Sequence, residues 1–213
     1  MTKIIAAKRT LWLFGILIFL SGCATPYNYT NFRKHKPRSI LVLPPLNNAN
    51  DVRGTYSYLS TVSMPVAEKG FYVFPVTVVD QMMKENGVTN PHDMHQISLK
   101  KFSEIIGPDA ILYLTLEQYG TKFVVVSSQT QVTVAGKLLD ARSGTVLWEG
   151  RSTATDASNS NNGLASIISA VIVQAVNSTV DHSREVSKIA NQNLFYTESQ
   201  GLLNGPYHPK RDY

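Results

Sequence analysis

Cys23 is the one cysteine in this 213-residue chain, and its surroundings take it out of the fold. It follows Leu20-Ser21-Gly22 at the end of an apolar run, residues 11–20, too short for a permanent bilayer span. Lys3, Lys8 and Arg9 supply positive charge ahead of that run. A basic start, a short apolar stretch and small residues before a cysteine form the bacterial lipoprotein cleavage pattern. Ser21 and Gly22 leave the backbone extended and accessible, and Cys23 offers a thiol for diacylglycerol. With that thiol acylated, no disulfide can staple an exported domain, so apolar burial must hold it together. The expected organisation is a signal peptide at 1–22, a lipidated tether at 23–38, a single domain at 39–200 and a loose tail at 201–213. Lipidation at Cys23 with two or three acyl chains gives a stable anchor where one chain does not. Ala24, in place of Asp, at the second mature position points to the outer membrane, with the domain on the periplasmic side.

Charge is read differently once the leader is set aside. The whole chain carries +5, yet seven cations lie in the first 38 residues: Lys3, Lys8, Arg9, Arg33, Lys34, Lys36 and Arg38. From Ser39 onward the balance is −2. A domain of that charge offers no nucleic-acid surface. The 33–38 cluster reads as a solvated linker, with attraction to anionic lipid headgroups as the alternative.

Ile40-Leu41-Val42-Leu43 is a continuous apolar run of the kind a buried strand requires, closed by Pro44-Pro45. Apolar residues near helical spacing over 52–69 predict a helix that Pro65 should kink or restart, with Gly70 as its stop. Phe71-Tyr72-Val73-Phe74 predicts a second strand. A short helix capped by Thr77, a loop over 88–96, a helix capped by Ser98 and a strand over 110–116 follow. Residues 129–138 alternate, with Val132, Val134 and Leu138 on one face and Gln129, Gln131 and Lys137 on the other, the pattern of a half-exposed antiparallel strand. Asp140-Ala141-Arg142-Ser143-Gly144 is a tight turn into a partner strand carrying Val146 and Trp148. Residues 164–180 then predict a long apolar helix that continues, less apolar, to about Phe195. The fold class is α/β: a mixed sheet with helices packed on it, an antiparallel hairpin and a long C-terminal helix.

Little in the chain suggests chemistry. His92, Asp93 and His95 have the right ligand types for zinc, but their spacing lacks the His-x-x-x-His form and Pro91 argues for a loop. No zinc, cofactor or catalytic residue is expected. Ser143 sits in a turn and not in a nucleophile elbow, and no Gly-rich phosphate loop follows a strand. Tyr56, Tyr58 and Leu59 flank a core stripe or mark a binding face, and Trp148 reads as core. The 164–180 helix carries more apolar surface than one sheet face covers, which predicts a homodimer or partner interface along it.

The lipidation motif, Ile40-Leu41-Val42-Leu43-Pro44-Pro45, Gly70-Phe71-Tyr72-Val73-Phe74-Pro75 and Asp140-Ala141-Arg142-Ser143-Gly144-Thr145-Val146-Leu147-Trp148 together resemble a lipoprotein family that includes a genome-derived neisserial vaccine antigen. More distantly they look like the periplasmic domains of the curli-secretion channel lipoprotein and of lipoproteins that activate penicillin-binding proteins. Those domains share an α/β sandwich with the N-terminal domain of the Tol-system propeller protein. The resemblance implies a non-enzymatic outer-membrane lipoprotein acting in envelope transport or secretion, beside a channel-forming lipoprotein. The alternative it carries is a contact activator of a peptidoglycan synthase. Cys23 alone carries over as a functional residue.

Overall fold

A computed structural model of the chain describes residues 27–124, 127–156 and 182–212. The leader, Cys23 and the 164–180 segment lie outside the described residues.

The elements run α1 (Thr30–His35), β1 (Ser39–Val42), β2 (Leu46–Asn47), α2 (Gly54–Glu68), β3 (Tyr72–Val73), α3 (Val76–Glu85), α4 (Pro91–Gln96), α5 (Leu99–Ile105), β4 (Ala110–Val124), β5 (Ser127–Asp140), β6 (Val146–Thr155) and α6 (His182–Tyr196). They build one mixed sheet in the order β3-β1-β4-β5-β6, with β2 also paired to β4. The β1–β3, β1–β4 and β2–β4 pairs are parallel, and β4–β5–β6 is an antiparallel meander. Pro44-Pro45 interrupts the line of β1, yet the chain stays beside β4 and resumes as β2.

The parallel half is covered on both faces, which is why its strands are continuous apolar runs. Ile40, Val42, Ala110, Leu112 and Leu114 join the core formed with Phe32 of α1, Tyr58, Val62 and Val66 of α2, and Val186, Ala190 and Leu194 of α6. Leu41, Leu43 and Ile111 face the other way, onto Val79 and Met83 of α3, Met94 of α4 and Phe102 of α5. In the antiparallel half the alternation predicted for 129–138 holds: Val132, Val134 and Leu138 are fully buried. The β4 register shifts between Leu116 and Gln118, so the core-facing series Leu112, Leu114, Leu116 resumes at Tyr119, opposite Val132. A single extra residue, Glu117, reverses the phase of the strand beyond it.

Trp148 lies fully buried beside Leu138, its ring 5.7 Å from that of Phe195, and its Nε1 donates to the Gln200 carbonyl at 2.9 Å. Two glycines paired across β5 and β6, Gly136 and Gly150, make room for the indole. A Cβ on Gly150 would stand 2.5 Å from Trp148 Cζ2.

Five features depart from the sequence expectations. The 23–38 stretch is not a free tether from Tyr27 on: Tyr29 and Phe32 are buried, and Phe32 packs edge-on against Phe71. The 88–96 segment is not all loop. Asn90 accepts a hydrogen bond from Asp93 N–H, Pro91 occupies the first turn, and α4 results. Helix α2 is one element through Pro65. Proline removes the N–H that would reach the Thr61 carbonyl. Asn191 Nδ2, from α6, donates to that carbonyl at 3.1 Å and to Thr61 Oγ1 at 2.9 Å, while Tyr58 OH donates to Asn191 Oδ1. The tail, finally, is docked: Leu202 is buried, Gly205 N–H donates to the Lys69 carbonyl, and Tyr207 N–H to that of Gly70. Helix α3 also begins at Val76 after Pro75, without a side-chain cap from Thr77.

Candidate functional site

The sequence candidates for chemistry are dispersed by the fold. His92 is exposed on α4 against Gln96, and Asp93 caps back onto Asn90. His95 turns inward, with Nε2 2.8 Å from the Pro44 carbonyl and its ring edge-on to Tyr113. Burial lowers its pKa below the ordinary 6.5, with the Pro44 contact opposing and His92 adding to the fall. Among the described residues no three His, Cys, Asp or Glu side chains converge as a metal site. Ser143 donates from Oγ to Asp140 Oδ1 at 2.7 Å and so belongs to the turn. Tyr58 and Leu59 are core; Tyr56 is 43% exposed, its hydroxyl 3.3 Å from Asp80 Oδ1 and Lys84 Nζ over its ring.

What the fold does assemble is an edge beside the first described residues. Tyr27 N–H donates to the Ser199 carbonyl at 2.9 Å, and Tyr29 OH to that of Gly201. The two rings stand 4.9 Å apart. Burial, then the neighbouring Tyr27, push the Tyr29 hydroxyl up to about 12, and burial also raises Tyr27. Helix α1 continues along β6, with Asn31 Nδ2 donating to the Val146 carbonyl at 3.1 Å. At its far end His35 Nδ1 meets Asp140 Oδ2 at 2.9 Å. Asp140 Oδ1 accepts from Arg142 N–H, Ser143 N–H and Ser143 Oγ, so one carboxylate ties α1 to the β5–β6 turn. Burial works to raise that carboxyl, but the Ser143 and His35 hydrogen bonds outweigh it and the net pKa is lowered.

Next to Tyr27 a groove of about 900 Å³ crosses the open sheet face, lined among others by Tyr113, Thr115, Lys137, Glu149 and Arg151. Its charges are paired across strands: Lys137 with Glu149 at 2.9 Å, and Arg151 with Glu117 at 2.6 Å. Sequence reasoning found neither the seating of Tyr27 and Tyr29 nor this groove. The alternation of β5 predicted a polar face, but the partners on β4, β6 and the N-terminal segment are far apart in the chain.

A mixed α/β body entered within a few residues of a lipidation motif describes a class of anchored envelope proteins. The particular family follows from comparison: the family described as "Putative lipoprotein GNA1162-like" matches residues 27–207, and the chain belongs to it. It is 41% identical over 197 residues to "Putative lipoprotein NMB1124/NMB1162" of Neisseria meningitidis serogroup B, covering 89% of this chain and 92% of that protein. The crystal structure of lipoprotein GNA1162 from Neisseria meningitidis is 43% identical, with a TM-score of 0.56, over 67% of this chain and all of that one. The LpoB C-terminal domain from Salmonella enterica matches at 16% identity and a TM-score of 0.41, over 64% of this chain and 88% of that one.

Proposed function

We propose that this chain is a lipid-anchored outer-membrane lipoprotein whose body docks on a protein partner in an envelope transport or secretion assembly and performs no chemistry itself. The observation that supports this reading most is the seating of Tyr27. Only Ala24, Thr25 and Pro26 separate it from Cys23, and extended chain of that length reaches ~14 Å at most. Acylation at Cys23 would therefore hold the β6 edge and α1 at the membrane surface. A body so held keeps this edge close to the membrane, where a binding component meets a membrane partner.

Whole-cell crosslinking followed by mass spectrometry of the captured proteins tests the reading. Capture of a channel-forming lipoprotein or another envelope transport component is the expected result. Capture of a peptidoglycan synthase would replace it with the activator reading. Recovery of the chain in the inner-membrane or soluble fraction would remove the outer-membrane assignment.

A further inference from the structure

We propose that α1 and the β5–β6 turn together form a site for anionic phospholipid headgroups, which lays the body against the leaflet holding the acyl chains. The inference rests on the Cys23 anchor proposed above. Arg33 and Lys34 on α1, Lys36 at its C-terminal end and Arg142 in the turn are all exposed. The His35–Asp140 contact brings the two elements together, so cations distant in sequence share one edge. Carboxylates nearby are engaged elsewhere: Asp140 with His35 and Ser143, Asp109 with Arg38 at 3.7 Å, and Glu149 with Lys137. Arg33, Lys34, Lys36 and Arg142 meet no carboxylate among the described residues.

A helix C-terminus favours cations in its last turn, and that alone would account for Arg33 and Lys34. It does not account for Arg142, which belongs to another element. Two features select lipid as the occupant. The chain between Cys23 and Tyr27 is short enough to keep this edge within a few Debye lengths of the headgroups. The chain from Ser39 onward, at −3 once Arg142 is set aside, is repelled by an anionic surface, so the cationic edge sets the orientation. Guanidinium and ammonium groups both suit a phosphodiester, Arg as a fork and Lys as a point charge.

The test uses the mature lipoprotein reconstituted in vesicles of phosphatidylcholine, with or without phosphatidylglycerol. With the Cys23 thiol acylated, a Thr30→Cys variant takes a fluorescent label at α1 alone, and Val78→Cys, exposed on α3 beside the opposite sheet edge, is the control position. Quenching by headgroup-labelled lipid should rise at position 30 with phosphatidylglycerol, fall with salt, and stay low at position 78. Removing the four cations by Arg33→Gln, Lys34→Gln, Lys36→Gln and Arg142→Gln should abolish the rise, with each cation changing the contact constant about fivefold. Circular dichroism checks that the variant stays folded. Mass spectrometry of the N-terminal peptide is read on the same preparation. An acylated protein with equal quenching on both vesicles overturns the headgroup site and leaves the anchor standing. An unacylated protein removes the anchor; salt-sensitive co-sedimentation with phosphatidylglycerol vesicles, lost in the four-Gln variant, would then still support the site, and no co-sedimentation would overturn it.

Discussion

Asn191 does for α2 what the backbone at Pro65 cannot, and a double-mutant cycle measures it. Asn191 is 1% exposed, and its removal leaves the Thr61 carbonyl and the Tyr58 hydroxyl without their partner from α6. Thr61 Oγ1 keeps its bond to the Tyr58 carbonyl at 2.7 Å, so it is not orphaned. Each buried polar group left unpaired costs ~1–3 kcal/mol, which puts Asn191→Ala at ~2–6 kcal/mol before any cavity term. Pro65→Ala restores an N–H four residues after Thr61, and that N–H can donate to the same carbonyl. In the Pro65→Ala background the cost of Asn191→Ala should therefore shrink by ~1–2 kcal/mol, the share belonging to the Thr61 carbonyl. Equilibrium denaturation of the four proteins yields the coupling. If the two changes add to within ~0.5 kcal/mol, the carbonyl is not shared and the account of an unbroken α2 is wrong.

Other outcomes follow from single residues. Gly150→Ala should cost ~1–3 kcal/mol by forcing Trp148 off the sheet, with a shift in the emission of the one tryptophan left after processing; unchanged emission and stability would contradict the packing described. His95 has its folded pKa lowered by burial, so between that value and 6.5 the unfolded chain binds more protons and stability falls as pH falls. His95→Gln should flatten that part of the stability profile, and an unaltered acid limb would show that another group sets it. For the 164–180 segment, Ile168→Glu should yield a folded monomer from a wild-type dimer in sedimentation; a wild-type monomer at tens of micromolar rules the homodimer out.

Much of the sheet was legible because burial leaves a periodic trace. Ile40-Leu41-Val42-Leu43 and residues 110–112 are apolar on both faces since helices cover both, and 129–138 alternate since only one face is covered there. Helix α1 left no such trace: six residues with one buried apolar side chain, Phe32, have no period to read. Helix α4 was hidden by Pro91, a residue that breaks helices within but starts them at the first turn. The continuity of α2 through Pro65 was illegible in principle, because the donor that takes up the Thr61 carbonyl comes from position 191. The tail docks mainly through backbone bonds at Lys69 and Gly70, which no side-chain pattern encodes. The anchor-proximal edge joins residues 27–36, 140–142 and 199–201, so its parts were visible as charge and aromatics but their meeting was not.

Acyl chains on Cys23 should hold the edge at Tyr27 to the membrane. Intact-mass and N-terminal peptide spectrometry of the protein from fatty-acid-labelled cells, beside a Cys23→Ser variant, tests it most directly. The wild-type chain should begin at Cys23 with diacylglycerol attached and sediment with the outer membrane. The variant should be unlabelled, and either unprocessed or released. A wild-type chain that keeps residues 1–22 or lacks acyl mass, or label retained on the Ser variant, would contradict it.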